Sequence, residues 1–478
     1  MKLSLLFFLT ACAAAAPALS SSSGSALPAG VLHMSIKARS SPQERFRQEV
    51  ERARRLRKRA SDTVEVDLDN SVQNGAYLAE LTLGTPAQTV NVLIDTGSSD
   101  LWVQSVSNPS CEHTQDFCST TQTFNSSESS TYSSTGTDFS ITYADSSYAS
   151  GVYVQDTLTL TSGVTLTNVT FGLADNSTSS LGVFGVGYAV NEAADTKYKN
   201  VPELLVEQGI IQAQAYSLWL NDIDASEGSI LFGGIDTAKF TGDLQTVDVL
   251  STVSDVYAQF IITLSGMTYN GSSNSTSLLG DSIRVVLDSG TSYAVLPYAV
   301  ASDLAEAIGY EEYDSDYSLF IMDCSLQDST DSVTLSFGDS SSGTATLDFG
   351  LDQLIVALET SSAGATRCAL GVQTYSSDTS TETYSTDTTY ILGDAFLRSG
   401  YFVYDLEQNQ VSMADAVFNT DESNVQVINS TGVSGSTGSG HSGSSASSSS
   451  SSSSGASPIQ LSRQLMLLCV AFTFAFMI

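Results

Sequence analysis

Two aspartates in this sequence follow runs of large aliphatic residues. Asp95 ends the stretch VLID, and Asp288 ends the stretch VVLD, 193 positions further along the chain. A carboxylate in an apolar strand costs several kcal/mol of transfer free energy unless it is paired or hydrogen-bonded. Two such sites in one chain make both carboxylates candidate catalytic groups.

Each aspartate is followed by a hydroxyl residue, a glycine and a second hydroxyl residue. The glycine permits a tight turn and the close approach of another backbone. The first hydroxyl can bond the two turns to each other, and the second can bond the outer carboxylate oxygen. One D-[ST]-G is a weak signal in a chain rich in Asp and Ser, whereas two copies after aliphatic strands are specific. The supporting residues predicted in this way are Thr96, Gly97, Ser98, Ser289, Gly290 and Thr291.

A second feature is repeated after each aspartate. The tripeptide VFG at 183–185 follows Asp95 by 88 positions, and the tripeptide ILG at 391–393 follows Asp288 by 103 positions. This order of motifs predicts two related lobes, each of which contributes one aspartate to a shared cleft. The alternative is that both acids are turn residues on exposed hairpins.

Other catalytic chemistries lack the residues that they need. Of the three histidines, only His113 lies in the body of the chain, whereas His33 and His441 lie in the terminal segments. A Ser-His or Cys-His nucleophile needs an imidazole base, and a histidine-rich zinc site needs several such rings. No Gly-rich phosphate loop opens a helix. We therefore expect carboxylate chemistry with no metal and no organic cofactor. The symmetry of the two turns disfavours a carboxylate-pair glycosidase.

Charge is unevenly distributed along the chain. Residues 60–454 contain six basic and 49 acidic residues, a formal charge near −43, while ten of the 18 basic residues lie between Lys37 and Arg59. This balance excludes nucleic-acid binding, which depends on cations that neutralise phosphates. Self-repulsion in such a body is relieved when its carboxylates are protonated. The composition therefore indicates either an acidic working environment or a requirement for solubility alone.

The N-terminal segments have the composition of targeting and pro-segments. Residues 1–18 combine one Lys, an apolar run and the exit Ala-Pro-Ala, which predicts a secretory signal peptide rather than a buried helix. Residues 19–59 are predicted to be a basic pro-segment that is removed by cleavage after Lys58 and Arg59. Helical spacing over 42–59 predicts a basic helix that docks on the acidic body as an intramolecular inhibitor.

The C-terminal segments have the composition of a stalk and an anchor signal. Residues 429–457 are rich in Ser and Gly and predict a flexible stalk. The apolar run at 465–478 is shorter than the ~20 residues that a spanning helix needs. Small residues, a polar spacer and an apolar tail predict GPI attachment at Ser454 or Gly455 with removal of the segment 455–478. A short tail anchor is the alternative.

Between these segments the sequence is typical of an all-β protein. It reads as strand after strand, for example YLAELTL, TVNVLID, DFSITYA and GVYVQDTLTL, with Gly, Ser, Asn and Asp between them. The best helical windows are VPELLVEQGII and AVASDLAEAIGY. We expect an N-terminal lobe over 60–240, which contains the first aspartate, and a C-terminal lobe over 241–428, which contains the second.

Cysteines and sequons agree with secretion. Four of the six cysteines remain once the predicted signal peptide and tail are removed, and an even number in an oxidising compartment indicates two disulfides. Three pairings are possible, of which we favour the local one, Cys111 with Cys118 and Cys324 with Cys368. The N-x-S/T sequons predict glycosylation at Asn125, Asn168, Asn176, Asn270, Asn274 and Asn429.

The body of the chain resembles the pepsin-like aspartic proteases, and its arrangement with a C-terminal anchor resembles the fungal GPI-anchored yapsins. The resemblance runs from about Tyr77 to Ala414 through LGTPAQ, IDTGSSDLWV, SITYAD, LDSGTS, ILGDAFLRSGYFVYD and VSMA. It implies an all-β, bilobal pepsin-like aspartic protease fold with the active-site cleft between two related lobes. Asp95 and Asp288 would form the catalytic dyad.

The resemblance also implies a flap hairpin above the dyad. Its substrate-binding residues would be Tyr143, Asp145 and Ser146, with Trp102 hydrogen-bonded to Tyr143. The family usually has glycine at the two positions that are Ala144 and Ser146 here. This departure leaves open how mobile the flap is and how it contacts substrate.

The implied reaction is peptide hydrolysis by a carboxyl pair. Two carboxyls that share one site hold one proton between them, so that one can activate water while the other polarises the scissile carbonyl. In pepsin, the standard example, proximity pushes the pKa values of the two carboxyls apart so that they share one proton in acid, which implies an acidic working range.

We therefore expect a secreted, monomeric zymogen that cleaves peptides or proteins, beside basic residues as in yapsins. Only its GPI lipid would contact the membrane, with retention at the plasma membrane or in the cell wall. The alternative is a glycosylated, wall-anchored surface protein with a vestigial protease cleft. A pepstatin-binding measurement at acid pH distinguishes these two.

Overall fold

Strands make up most of the structure, as the alternating sequence pattern predicts. The computed structural model describes residues 30–38, 77–109, 123–160, 163–225, 227–252, 255–315, 317–360, 366–374, 388–433, 436 and 438. Strands up to residue 250 are β1 Leu32–Ala38, β2 Tyr77–Leu83, β3 Gln88–Asp95, β4 Leu101–Ser105, β5 Thr123–Phe124, β6 Ser133–Thr142, β7 Tyr148–Thr159, β8 Thr165–Ser177, β9 Gly182–Gly185, β10 Ala215–Trp219, β11 Glu227–Phe232, β12 Gly234–Asp236 and β13 Gln245–Asp248. Later strands are β14 Ile261–Asn270, β15 Ser275–Ser277, β16 Ile283–Leu287, β17 Ala294–Leu296, β18 Glu312–Asp314, β19 Leu319–Met322, β20 Ser332–Asp339, β21 Gly343–Gly350, β22 Ile355–Thr360, β23 Thr366–Thr374, β24 Thr389–Leu392, β25 Gly400–Asp405, β26 Gln410–Asp415 and β27 Val425–Val427.

Helices are short, and the two longest lie in the two helical windows of the sequence. They are α1 Val201–Glu207, α2 Tyr298–Ile308, α3 Leu351–Leu354 and α4 Asp394–Leu397, with 3-10 turns at Ser126–Glu128, Ala189–Asn191 and Cys324–Asp328. The side chain of Asn200 caps α1 by accepting from the backbone N–H of Glu203. The helix α2 buries one face and ends at Gly309, whose φ of 102° is left-handed. Both helical windows of the sequence therefore contain helices.

Two large sheets account for the bilobal architecture. One has the strand order β13-β26-β25-β10-β11-β1-β2-β3-β9-β4-β8-β7-β6, with β5 beside β4. The other has the order β18-β19-β23-β17-β24-β16-β14-β20-β21, with β15 beside β14 and β22 beside β23. Each sheet contains one aspartate motif. The predicted all-β, bilobal pepsin-like fold is thus confirmed.

The same strand arrangement lies behind both aspartates. In the first sheet β3 and β9 are parallel, which places Asp95 opposite Gly185. In the second sheet β16 and β24 are parallel, which places Leu287 opposite Leu392. Ile94 and Leu287, the residues before the two aspartates, are fully buried in one continuous apolar core. The VFG and ILG tripeptides of the sequence are therefore the buried partners of the two aspartate strands.

The strand β1 lies within the predicted pro-segment, for which the sequence predicted a basic helix and no strand. It pairs with β11 on one side, Leu32 opposite Phe232, and with β2 on the other, Ile36 opposite Ala79. Leu32, Met34 and Ile36 are buried while His33 is only half-buried, a clean alternation of period two. Most of the remaining pro-segment, including Lys58 and Arg59, lies outside the described residues.

Chain beyond residue 428 still packs on the body. The strand β27 pairs with β12, Ile428 and Val433 are buried, and the backbone N–H of Leu244 donates to the carbonyl of Ser436 at 2.8 Å. The predicted stalk from 429 thus begins with residues docked on the first sheet. Ser454 and Gly455 lie outside the described residues.

Within the described part of the chain, no helix has both the length and the apolar character needed to span a membrane.

Candidate active site

The two aspartates sit in turns that leave the ends of their strands. Asp95 is the last residue of β3, and its carbonyl accepts the backbone N–H of Val186 at 3.0 Å. Asp288 follows β16 directly, and its own N–H donates to the carbonyl of Leu392 at 3.0 Å. Buried aliphatic strands therefore deliver both carboxylates to fixed positions.

Hydrogen bonds tie the two turns to each other. The backbone N–H of Thr96 donates to Ser289 Oγ at 3.2 Å, and the backbone N–H of Ser289 donates to Thr96 Oγ1 at 3.0 Å. Each hydroxyl also donates to a backbone carbonyl of the opposite lobe, Thr96 to Leu287 at 2.8 Å and Ser289 to Ile94 at 2.9 Å. All four hydrogen bonds are buried, and they fix the position of one lobe relative to the other at the level of the carboxylates.

Glycine and hydroxyl groups hold each carboxylate in the same way. Asp95 Oδ1 accepts the N–H of Gly97 at 2.8 Å, and Ser98 Oγ donates to Asp95 Oδ2. Asp288 Oδ1 accepts the N–H of Gly290 at 2.8 Å, and Thr291 Oγ1 donates to Asp288 Oδ2 at 2.7 Å. The six supporting residues predicted from the sequence all contact the two aspartates or their turns.

The carboxylates face each other across the junction of the lobes. A Cβ added at Gly97 would lie 2.6 Å from Asp288 Cγ. A Cβ added at Gly290 would lie 2.5 Å from Asp95 Oδ1 and 3.0 Å from Asp288 Oδ1. Only glycine fits at these two positions, because any side chain would occupy the space of the opposite carboxylate.

Burial and proximity change the acidity of the pair. Desolvation by burial, and secondly the neighbouring Asp288 carboxylate, raise the pKa of Asp95 well above its ordinary value of 3.8. The pair therefore keeps a shared proton to higher pH than an isolated aspartate would, and it titrates as a unit. One ionised and one protonated carboxyl in the same site can serve as base and acid together.

The hairpin β6–β7 carries the flap residues expected from the family resemblance. Trp102 Nε1 donates to the hydroxyl of Tyr143 at 2.8 Å. Burial, and then the charge of Asp95, raise the pKa of Tyr143 well above 10, which places this hydroxyl near the pair and keeps it neutral. Trp102 itself is fully buried in an apolar cluster.

The tip of the flap is a tight turn. The backbone N–H of Ser146 donates to the carbonyl of Tyr143 at 3.0 Å, and Asp145 Oδ1 accepts the N–H of Ser147 at 2.8 Å. Ser146 adopts a φ of 64°, the left-handed region in which glycine is favoured. The family's glycine position thus retains a glycine-like backbone although its residue here is serine.

The remaining predicted site residues fall into three groups. Cys324 and Cys368 are joined by a disulfide, whereas Cys111 and Cys118 lie outside the described residues. Among the sequon asparagines, Asn168, Asn176, Asn274 and Asn429 are exposed and Asn125 and Asn270 are half-buried. In the described ranges no group of three or more His, Cys, Asp or Glu residues could hold a metal ion.

A buried acid near the flap was not predicted from the sequence. Asp100 is fully buried, and its Oδ1 accepts the hydroxyls of Tyr153 at 2.8 Å and Tyr198 at 2.9 Å. The sequence signal was present, because Asp100 precedes the apolar run LWV within the first motif. The two tyrosines lie 53 and 98 positions away, so no local pattern identifies them as partners.

Comparisons with known proteins agree with this geometry. The family described as eukaryotic aspartyl protease matches residues 76–416. The probable aspartic-type endopeptidase opsB of Aspergillus oryzae is 35% identical over 383 residues, 78% of this chain and 74% of that protein. The aspartic proteinase yapsin-3 of Saccharomyces cerevisiae is 31% identical over 370 residues, 74% of this chain and 69% of that protein.

A solved structure shows the same fold. The crystal structure of an aspartic proteinase from Irpex lacteus matches 73% of this chain and 96% of its own, with a TM-score of 0.57 and 23% identity. With the family match over 76–416 and the 35% identity to opsB, the chain belongs to the pepsin-like eukaryotic aspartyl proteases and is an aspartic-type endopeptidase.

Proposed function

We propose that Asp95 and Asp288 are the catalytic dyad of this endopeptidase. The observation that supports the assignment is the pair of cross-bonded turns, in which each glycine leaves room for the opposite carboxylate. Both carboxylates have their outer oxygens held by hydroxyls, so their inner oxygens remain directed at the shared site. A vestigial cleft would have no reason to maintain these contacts.

The reaction follows from one proton shared by two carboxyls. The ionised carboxylate takes a proton from a water molecule, whose oxygen forms a bond to the scissile carbonyl carbon. The protonated carboxyl gives its proton to the carbonyl oxygen, which yields a neutral tetrahedral intermediate. On collapse the protonated carboxyl gives its proton to the amide nitrogen and the C–N bond breaks. The ionised carboxylate takes the proton of one hydroxyl of the intermediate as the C=O bond reforms, so a carboxylic acid and an amine leave and the dyad again holds one proton. Base and acid are not assigned to individual residues, because the pair titrates together.

Activity should be greatest on the acid side of neutrality. The mechanism needs the shared proton, and this proton is lost as pH rises through the raised pKa of Asp95. The acidic composition of the body acts in the same direction, since protonation relieves its self-repulsion. We infer an acidic working environment from these two effects together.

The dyad is tested by Asp288→Asn, which keeps the shape of the side chain but removes the second titrating carboxyl. Hydrolysis of a peptide substrate at pH 4 should fall by at least about 10⁴-fold, the scale seen when a catalytic group is removed. The control is Asp303→Asn, on the exposed face of α2. Melting temperatures of both variants should stay close to that of the parent. Undiminished hydrolysis by Asp288→Asn would overturn the assignment.

We further infer that the protein is made as a zymogen and processed after Arg59. The strand β1 supports this, because it is an integral part of the first sheet although it precedes the proposed cleavage site. Cleavage at Arg59 would cut the chain between β1 and β2 and leave their pairing in place. N-terminal sequencing of the purified protein before and after acid exposure would identify the cleavage site.

Cleavage beside basic residues, secretion and a GPI anchor complete the proposal. A body of formal charge near −43 favours cationic peptides. The composition of residues 1–18 supports export, and that of 454–478 supports exchange for a lipid. Mapping cut sites in a peptide library tests the specificity. Release of the protein from cells by a phosphatidylinositol-specific phospholipase tests the anchor.

A further inference from the structure

The loop 189–200, which begins with the 3-10 turn Ala189–Asn191 and ends at the helix α1, lies against the turn of the first aspartate. The backbone N–H of Gly187, just before this loop, donates to the carbonyl of Ser98 at 2.9 Å. Within the loop, Asn191 Nδ2 donates to the carbonyl of Gly97 at 3.5 Å. A displacement of this loop would therefore be felt at the Asp95 turn.

Asp100 holds the same loop from the other side. Its Oδ2 accepts the backbone N–H of Ala193 at 2.7 Å, and its Oδ1 accepts the hydroxyl of Tyr198 at 2.9 Å. Oδ1 also accepts the hydroxyl of Tyr153, which belongs to the flap strand β7. Tyr153 and Tyr198 also pack in the apolar cluster of Trp102, so the groups held by this one carboxylate surround the indole that bonds the flap tyrosine.

A second acid, Glu192, is buried in the same loop. It is only 3% exposed, and its Oε2 accepts the backbone N–H of Tyr198 at 2.9 Å. Among the described residues, Oε1 of Glu192 has no hydrogen-bond partner. An ionised carboxylate with an unsatisfied buried oxygen is costly, whereas a protonated one is not.

Some groups around Glu192 raise the pKa of its carboxyl and others lower it. The pKa of Glu192 is raised to about 8, chiefly by desolvation, and the charges of Asp100 and of Glu203, which lies on α1, act in the same direction. The hydrogen bond from Tyr198 and the cation of Lys197 act in the opposite direction. Lys197 Nζ itself bonds the backbone carbonyls of Glu192 and Ala194, not the Glu192 carboxylate.

We propose that Glu192 is a positioning residue that must be protonated for the loop and flap to hold their substrate-binding arrangement. When Glu192 ionises, a second negative charge appears beside the three hydrogen bonds that Asp100 accepts. The loop then turns Glu192 outwards and loses the bonds of Tyr198 and Ala193 to Asp100, which loosens the apolar cluster that Trp102 shares with Ala194 and Tyr198. The inference rests on the proposed dyad but concerns binding and not the chemical step.

The sign of the pH effect follows from the raised pKa. Glu192 is protonated in the folded protein up to about pH 8, whereas in the unfolded chain it ionises near its ordinary value of 4.5. The folded state therefore binds the extra proton between these values, and the free energy of unfolding falls as pH rises through this window. Above pH 8 the loop is released.

The chain offers a direct probe, because its two tryptophans are Trp102 and Trp219. In a Trp219→Phe background, tryptophan fluorescence reports Trp102 alone, and the measurement requires neither substrate nor enzymatic activity. Titration from pH 5 to pH 9 should show a transition with its midpoint near pH 8. The transition should be absent in Glu192→Gln and retained in the control Glu306→Gln, an exposed glutamate on α2.

Steady-state kinetics supply the functional readout. At pH 8 about half of Glu192 is ionised, so KM for a quenched peptide with a central Lys-Arg should be about twofold lower in Glu192→Gln than in the parent. The alkaline limb of kcat, which reports the dyad, should coincide in the two proteins. Loss of activity in Asp288→Asn is a separate result and tests the dyad alone.

Several outcomes would overturn the proposal. They are a Trp102 signal without a transition between pH 6.5 and pH 9, a transition that survives in Glu192→Gln, and one that disappears equally in Glu306→Gln. If Glu192→Gln does not fold, Tyr198→Phe tests the same coupling, because it deletes one hydroxyl on Asp100 and keeps the ring. Its Trp102 emission at pH 6 should match that of the parent background at pH 9, and emission unchanged from the parent at pH 6 would contradict the proposal.

Discussion

The two aspartate turns hold their carboxylates alike but differ in the residues that come after them. Asp95 and Asp288 each accept hydrogen bonds from a glycine N–H and a neighbouring hydroxyl, and each lies at the end of a buried pair of parallel strands. Seven positions after the first aspartate comes Trp102, whose N–H bonds the flap tyrosine. Seven positions after the second comes Val295, which is fully buried in an apolar cluster.

The same contrast holds five positions after each aspartate. After the first aspartate this position is Asp100, a buried acid. Its carboxylate accepts three hydrogen bonds from the flap strand and the neighbouring loop. After the second aspartate it is Tyr293, which packs in an apolar cluster of the C-terminal lobe. The two lobes are therefore alike in the residues that hold the carboxylates, and they differ in the residues that support the flap over the substrate. The chemistry is divided equally between the lobes, while the flap belongs to the first lobe alone.

The strongest test of this equality is to fill the space beside each carboxylate. Gly97→Ala places a methyl 2.6 Å from Asp288 Cγ, and Gly290→Ala places one 2.5 Å from Asp95 Oδ1. Both variants should lose at least about 100-fold in kcat, because a displacement of the reacting groups by about 1 Å has that effect. The measurement is kcat for peptide hydrolysis at pH 4.

The control is Gly266→Ala in β14. A Cβ there meets Ser336 at 3.4 Å, an ordinary contact remote from the aspartates. This variant should keep the parent's kcat. If kcat falls in only one of the two variants, Gly97→Ala or Gly290→Ala, the two turns are not functionally equivalent despite their similar geometry.

A smaller effect is expected where the lobes differ. Trp102→Phe removes the N–H that bonds Tyr143 and leaves most of the ring's packing in place. One hydrogen bond contributes about 1 kcal/mol, so kcat/KM should fall by about fivefold. The matched control is Trp219→Phe, which removes an N–H bonded to the carbonyl of Val417. It should reduce the melting temperature and leave kcat/KM unchanged. Equal losses of kcat/KM in both variants would refute a special role of the flap bond.

The sequence predicted the parts of the site that are local. Asp95, Asp288 and their turn residues are contiguous in the chain, and burial of an acid after aliphatic residues is visible in one window. The cross-bonds between Thr96 and Ser289 were expected because the motif is repeated with the same hydroxyl position. The flap tyrosine and its tryptophan came from the family resemblance, since their 41-residue separation has no local signature.

The sequence did not predict contacts that depend on which distant groups fold together. The pairing of Glu192 with Tyr198, and of both with Asp100, joins a loop to the first motif, and a buried glutamate is indistinguishable from an exposed one in a polar loop. The strand β1 is a different case. Its alternation of Leu32, Met34 and Ile36 with polar residues was present in the sequence, but the high charge of the same segment drew the interpretation toward a helix further along.

The smallest expected effect concerns the flap tip, where serine occupies a left-handed backbone. The left-handed backbone of Ser146, with φ 64°, costs ~1–2 kcal/mol relative to a favoured conformation. Glycine would remove this cost, but its freer unfolded state would take back about 0.5–1 kcal/mol of the gain in stability. Ser146→Gly should therefore raise the melting temperature slightly. Ala144→Gly, two residues earlier and outside the positive-φ positions, brings only the entropic loss and should lower it. Differential scanning calorimetry of the two variants measures the difference. If both melt below the parent, the turn is not strained at Ser146, and the first lobe tolerates its missing flap glycines without a conformational penalty.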